Sequence, residues 1–599
     1  MLKSFHDLFR LRTSPVLFFT SATIVLIFTV VTLLFQAEMG EFFGEASGWI
    51  YENLGWFYIS GVTIFLLFLI YVAIGRFGRM RLGQDHEKPE HGDLPWFGML
   101  FAAGIGTILM FWAVAEPVNH FANPPREESQ GIEGGSMDAA SEAMGFTLYH
   151  FGLHTWTIFT LPALAFAYFI YKRNLPPRVS SIFQPILGER IHGKAGQAID
   201  ILAIVGTIFG VAVSIGLGTL QINSGLASLV GLDETAFSQI AIITVVTLVA
   251  GVSAILGVNR GIKRLSNFNI WVAIALLVFI LISGPTIHLL RGTVEWAGVY
   301  LSMLPELAFW NDTLADTGWQ NGWTIFYWAW TITWSPFVGI FIARISRGRT
   351  VRQFVAGVLG LPTLFTIVWF GIWGTGVFDI EMNGEGGLVD EVVTQEDIPG
   401  AMFAFLGNFP LSEVTSAVAI MVVGLFFVTS MDSCSLVLDN MCNGFEEKAP
   451  LHQKGFWTVA IGMIAAILLT ATGEGGLQAL ESVAIVLGLP FFVLGYLMMF
   501  NLLRAMREDA GEVGYLPTRR WLRTLPPEEF ERRMEEGDDS LVEAVVAPDF
   551  AEGTQPENAP EVDHVEQPPV VEEYRIRTGE NPVVDPAEPE GRGPSDPRS

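Results

Sequence analysis

Three indole rings fall within seven residues in the stretch 328-WAWTITWSP-336. On a helix Trp330 and Trp334, four apart, share a face, whereas Trp328 lies off it. An indole face attracts a cation by about 0.5–2 kcal/mol, depending on how dry the contact is. This spacing therefore offers aromatic faces that can hold a cation. Tryptophans also gather as belts at membrane interfaces. Trp328 and Trp334 are separated by about 9 Å along a helix axis, so all three cannot share one headgroup level. Ser335-Pro336 marks a point where a helix loses a backbone hydrogen bond.

Two further groups of residues could do chemistry. Thr429 and Ser430, preceded by Phe426, are adjacent hydroxyls in an apolar run. Such hydroxyls either supply oxygen to a hard cation or bond their own backbone. Glu116, Asp200, Asp432, Asp439, His150 and His154 lie in or at the ends of apolar runs, where acids and imidazoles relay protons or merely pair and cap. Enzyme signatures are missing: the chain has no Walker A sequence, no GxSxG, no HExxH and no Cys/His cluster at metal-ligand spacing. It also lacks a TVGYG channel filter. We read it as neither enzyme nor channel, and expect no organic cofactor.

The elements that must position these residues are membrane helices. Of 599 residues 51% are hydrophobic and only 16% charged, where a soluble protein carries roughly 25% charged. Apolar runs of about 20 residues, enough to span a bilayer, recur up to position 505. Twelve spans are predicted, near 15–36, 55–75, 95–115, 143–171, 197–229, 236–258, 267–289, 322–343, 353–377, 412–442, 455–472 and 481–503. The first exceeds a signal-peptide core and no small-residue cleavage site follows it. Lys and Arg crowd alternate loops, from Lys3, Arg10 and Arg12 to Arg344, Arg347, Arg349 and Arg352, while the opposite loops hold only Arg126 and Arg291. This asymmetry places both termini in the cytoplasm. Cys434 and Cys442 read as packing residues, with no disulfide framework.

The net charge of −27 is uneven, because from Glu508 onward 24 acidic and 9 basic residues give −15. That tail, rich in Pro and Glu, reads as largely disordered apart from a short helix over 526–546, and an acidic tail excludes a nucleic-acid partner. The segment 294–310 reads as an amphipathic helix at the outer interface. It divides the later spans into two blocks of five. The first span of one block carries Gly104 and Gly106, and the first span of the other carries Ser335-Pro336. Interrupted helices at matching positions point to a binding site between inverted repeats. The predicted organisation is 1–94 for the first two spans, 95–290 for one repeat, 291–321 for the interfacial helix and loop, 322–507 for the second repeat and 508–599 for the tail.

The segments 327-YWAWTITWSPFVGIFIARISRGRTVRQF-354, 111-FWAVAEP-117, 150-HFGLHTW-156 and 198-AIDILAIVGTIFG-210 resemble the betaine/carnitine/choline transporter (BCCT) family. The resemblance covers about residues 10–505. It implies an all-α polytopic membrane protein with twelve helices, a LeuT-like inverted repeat of two five-helix units, and a homotrimer in the bacterial plasma membrane. It also implies import of a compatible solute or quaternary ammonium compound, such as glycine betaine, choline, ectoine or proline, coupled to sodium. Proton-coupled choline uptake and sodium-independent exchange are the alternatives. The substrate residues it implies are Gly104, Ile105, Gly106, Phe151, Trp156, Phe159, Trp328, Trp330, Thr331 and Trp334. Sodium would be held by Ala102, Ile105, Phe426, Thr429 and Ser430. A second sodium site, at Thr207 and Phe337, is put in question by Val211, which has no oxygen to offer. Thr331 stands where most relatives have another tryptophan, and Phe151 and Phe159 where they often have Trp and Tyr. A hydroxyl in place of an indole shifts the expectation from glycine betaine toward an N–H-bearing solute such as ectoine or proline.

Overall fold

The computed structural model describes residues 13–104, 106–256, 259–443, 451–470 and 476–512. The chain divides into two compact units, 1–548 and 549–599, and every described residue lies in the first. The expected tail begins inside the fold, since the last helix runs to Asp509 and Glu508 and Asp509 pair with Arg173; the rest of it with its expected helix over 526–546, the basic N-terminal residues and Ile105 lie outside the described residues.

Fifteen helices of twelve residues or more make up the described part: α1 (Pro15–Leu34), α2 (Gln36–Ile74), α3 (Asp93–Gly104), α4 (Thr107–Ala122), α5 (Met137–Phe151), α6 (Leu153–Ala167), α7 (Lys194–Val230), α8 (Ala236–Leu256), α9 (Asn259–Ser283), α10 (Thr286–Leu307), α11 (Phe326–Ile345), α12 (Val351–Asn383), α13 (Ser412–Asn443), α14 (Leu451–Thr470) and α15 (Gly476–Asp509). Eleven stretches among them are long and apolar enough to cross a membrane, so this is a multi-pass membrane protein. The region expected as the third span is missing from those eleven because it is split. Helix α3 ends at Gly104, Gly106 is extended (φ −126°, ψ −175°) and α4 begins at Thr107. Neither half is long enough alone.

Burial sorts the helices into a centre and a rim. In the apolar stretches of Asn321–Ile345, Lys194–Val230 and Met137–Lys172, 94%, 89% and 83% of residues are buried, against 22% in Ala236–Ile255 and 33% in Pro15–Leu34. On the rim helices the outward residues are apolar, as with Leu26, Ile27, Leu248 and Val252. An exposed apolar surface of that extent is a lipid surface. The helices that carry the aromatic residues are thus enclosed, whereas the stretch with Thr429 and Ser430 is 50% buried.

Two expectations change. The break foreseen at Ser335-Pro336 is absent, since α11 runs unbroken through Pro336. It lies in contact with α6 on one side and α7 on the other, and such flanking packing lets a membrane helix carry a proline without breaking. A break does occur in the expected fourth span, at Gly152 between α5 and α6. There the Leu153 N–H donates to the hydroxyl of Tyr300 on α10, at 3.0 Å. The interfacial helix, expected from 294, starts at Thr286 and turns Leu289, Trp296 and Tyr300 inward, on one helical face.

Two loops are stapled together at one end of the bundle. Leu82 N donates to Arg349 O (2.8 Å), Gly348 N to Leu82 O and Val351 N to Met80 O (2.9 Å). Arg349 bonds Asp93 at 2.7 Å and lies over the Trp96 ring at 3.8 Å from its centroid. Gly348 has φ +81°, and a Cβ there would lie 2.3 Å from the Lys88 carbonyl, so only glycine fits. Arg347 pairs with Glu87 at 2.6 Å, and its hydrogen bonds hold the Glu87 carboxyl below the usual carboxylate range. Cys434 and Cys442 are buried and free.

Candidate functional site

Helices α7 and α11 are joined by a two-rung ladder. The Trp330 indole N–H donates to Ser214 Oγ at 3.0 Å, and the Trp334 N–H to Gly210 O at 2.8 Å. Numbers rise on one helix and fall on the other, as they must for antiparallel neighbours. The rungs are one turn apart because each pair is spaced by four residues. Gly210 permits the close approach, since a Cβ there would lie 2.3 Å from Thr333 Oγ1.

Each rung fixes the plane of its ring and leaves the faces to other partners. Trp330 has one face covered by Phe326, stacked at 5.5 Å and 9°. Trp334 meets Phe337 at a tilt of 55°, so its face is the freer of the two. Thr331, next to Trp330 in the chain, is buried, only 4% exposed. Trp156 and Phe159 on α6 form an edge-on pair at 5.8 Å. Phe151 stacks on Phe370 at 4.7 Å and touches Tyr327 at 5.2 Å. Helix α6 packs along α11, and α3 also touches α11, with the Trp96 indole N–H donating to Ser346 Oγ at 2.9 Å.

Trp328 is turned elsewhere. Its ring contacts Tyr149 at 5.3 Å and lies over His154 at 6.0 Å. The structure therefore does not gather all three tryptophans of the WAWTITW stretch around one point: Trp330 and Trp334 face α7, and Trp328 faces α5 and α6.

Among the residues expected to hold sodium, Thr429 Oγ1 donates within its own helix, to Leu425 O at 3.0 Å and Phe426 O at 3.1 Å. A hydroxyl that donates inward keeps its lone pairs for an outside ligand. Ser430 is partly exposed beside it. Ala102 sits in the last turn of α3, where helix carbonyls lack an intrahelical donor. Ile105 lies outside the described residues. These oxygens suit a hard cation. Thr207 Oγ1 is buried with no partner among the described residues, and Phe337 is buried on α11.

Beside this region is a buried polar network that the spacing of residues foreshadows only in part. Glu116 Oε1 is 2.7 Å from His150 Nδ1, and Glu116 Oε2 accepts from the Tyr327 hydroxyl at 2.6 Å. His150 Nε2 is 2.9 Å from Thr324 Oγ1. His154 Nε2 is 3.3 Å from Thr63 Oγ1. Reading the sequence singles out Glu116, His150 and His154 but misses His120, Thr324 and Tyr327. The signal for His120 was its place four residues after Glu116, on the same helical face.

The sequence matches the description "BCCT, betaine/carnitine/choline family transporter" over residues 16–511. It is 46% identical over 522 residues to an ectoine/glycine betaine/proline transporter of Corynebacterium glutamicum, covering 87% of this chain and 84% of that one. It is 41% identical to a glycine betaine transporter of Acinetobacter baylyi (84% and 74% covered) and 37% identical to a high-affinity choline transport protein of Escherichia coli (84% and 74%). With the family match running from the first membrane helix to the end of the last, the chain belongs to the betaine/carnitine/choline transporter family.

Proposed function

We propose that this protein imports a zwitterionic compatible solute of the ectoine, glycine betaine or proline class, driven by sodium. The observation that carries the reading is the Trp330–Trp334 ladder with Thr331 between its rungs, in a chain 46% identical to a transporter of those solutes. The free face of Trp334 supports binding of a quaternary or secondary ammonium group by cation–π attraction. The adjacent hydroxyl of Thr331 can accept a bond from a solute that carries an N–H. We assign Trp156, Phe159 and Phe151 to an apolar wall of the site, and the backbone around Gly104 and Gly106, where the helix is broken, to its polar contacts.

Sodium, when bound, would supply a positive charge between the α3–α4 break and α13, which contacts α4. Thr429, Ser430 and the backbone of Phe426, Ala102 and Ile105 are the groups we assign to hold it. Thr207 contributes a single oxygen where a second ion needs several. Counting α3 and α4 as two halves of one span gives twelve spans. We further propose the LeuT-like repeat, a homotrimer, cytoplasmic termini and a bacterial plasma membrane, on the grounds of the resemblance and the placement of Lys and Arg.

A second reading, proton-driven uptake of a choline-type solute, draws on the Glu116–His150–Tyr327 network. Uptake into proteoliposomes under imposed sodium or proton gradients separates the two. Accumulation under a proton gradient without sodium would refute the sodium reading, and counterflow without either gradient would favour exchange.

A further inference from the structure

We propose that Glu116, His120 and His150 form a binding site for a borderline first-row divalent cation, zinc above all. Glu116 and His120 lie four apart on α4 and His150 projects from α5, all three fully enclosed. One ligand atom from each lies within 4.8 Å of the others. His120 Nε2 stands 3.3 Å from Glu116 Oε1, off the line of a hydrogen bond. Neither ring nitrogen of His120 has a hydrogen-bond partner among the described residues. A buried imidazole nitrogen without a hydrogen bond is destabilising, and a metal ion on Nε2, which already faces Glu116 Oε1, would satisfy one of the two.

Two ligands on a tetrahedral zinc at 2.0–2.1 Å lie about 3.3 Å apart. The His120–Glu116 distance already matches. The His150–Glu116 distance of 2.7 Å must open by roughly half an ångström, and the imidazole must carry its one proton on Nε2, donating to Thr324 Oγ1, so that Nδ1 is free to bind the ion. The ligands are also held from behind. Tyr327 donates to Glu116 Oε2, and Thr324 meets His150 Nε2, which leaves Nδ1 as the nitrogen facing the site. Such outer partners fix the orientation and tautomer of metal ligands.

Two imidazoles and one carboxylate favour zinc, cobalt or nickel over sodium or magnesium, which prefer oxygen alone. The rings of Trp323 and Trp319 lie 4.4 Å and 5.0 Å from His120 and close the site. An ion there ties α4 to α5 and restrains any rearrangement that separates them, so zinc should also slow transport.

The test uses untagged full-length protein stripped with a chelator and titrated with zinc chloride, bound metal being counted by mass spectrometry. One tightly bound zinc per chain is expected. Losing an outer partner alone costs about 10–100-fold in metal affinity, so His120→Ala and Glu116→Gln should each weaken binding at least tenfold. Cobalt(II) on wild-type protein should give intense visible bands of a tetrahedral nitrogen–oxygen site, a measurement independent of whether the variants fold. Wild-type protein without stoichiometric zinc, a six-coordinate cobalt spectrum, or unchanged affinity in folded His120→Ala each overturns the proposal.

Discussion

Trp334 is the sharpest place to perturb the aromatic site, because its two jobs can be pulled apart. Its indole N–H holds Gly210 O at 2.8 Å and its ring face is the one we propose for substrate, whereas Trp330 has a face already spent on Phe326. Trp334→Phe keeps a ring and removes the N–H. The Gly210 carbonyl then loses one neutral hydrogen bond, a stability cost of about 0.5–1.5 kcal/mol. Trp334→Ala removes the face as well. A cation–π contact of about 0.5–2 kcal/mol corresponds to a roughly 2- to 30-fold loss in affinity. The phenylalanine variant should therefore melt earlier but bind almost normally, and the alanine variant should bind weakly. Trp330→Ala should chiefly destabilise, since it removes a rung and a stacked partner. Equilibrium binding of radiolabelled solute to purified protein, with thermal unfolding in the same detergent, measures both quantities. Wild-type affinity in a folded Trp334→Ala protein, or a larger affinity loss in Trp330→Ala, would refute the assignment.

Thr331→Trp should favour glycine betaine over ectoine and proline, with a shift of about 0.5–2 kcal/mol from the added face; competition of unlabelled solutes against one labelled substrate reads it, and an unchanged ranking makes Thr331 a packing residue. Gly348→Ala forces a side chain into left-handed backbone at about 1–2 kcal/mol and against the Lys88 carbonyl, so the midpoint of thermal aggregation should fall while substrate affinity in the surviving protein is kept. The Glu87–Arg347 pair should stabilise the fold only where Glu87 is ionised. Because its carboxyl is held below the usual range, that contribution is full above the ordinary carboxylate pKa of about 4.3 and disappears as pH falls through the lower folded value. Thermal scans of wild type and Glu87→Gln should therefore differ at neutral pH and converge in acid; a gap that widens in acid contradicts the sign.

How far the sequence speaks depends on whether a feature is local. The spans are legible because bilayer thickness forces long apolar runs, and the Gly104–Gly106 break because two glycines two apart weaken a helix. Pro336 is the converse case. Its local chemistry says break, yet contact with α6 and α7 keeps α11 continuous, and neither neighbour can be seen from the stretch itself. Gly152 looks ordinary until Tyr300, 147 residues further on, is found bonding the next backbone N–H. Trp330 and Trp334 share a face as their spacing requires. That Trp328 turns to His154 instead of joining them follows from the same helical geometry, which puts it off their face. Thr324 and Tyr327 escape notice because their partners come from other elements, whereas His120, one turn from Glu116 on the same helix, is within reach of the sequence.

The staple between the two loops has a consequence for how the chain is made. Arg81 donates to Gly348 O across 267 residues, and the backbone bonds flanking it join the same two loops. At synthesis rates of about 5–20 residues per second, the first loop waits roughly 13–55 s for its partner to leave the ribosome. During that interval α1 and α2 are already in the bilayer, yet Leu82, fully buried in the finished protein, has no cover. A newborn chain arrested before residue 352 should thus expose the 79–91 loop to protease, and protection should appear abruptly once Val351 emerges. The staple acts as a checkpoint in assembly, closing only when the helix that lines the aromatic site has been inserted.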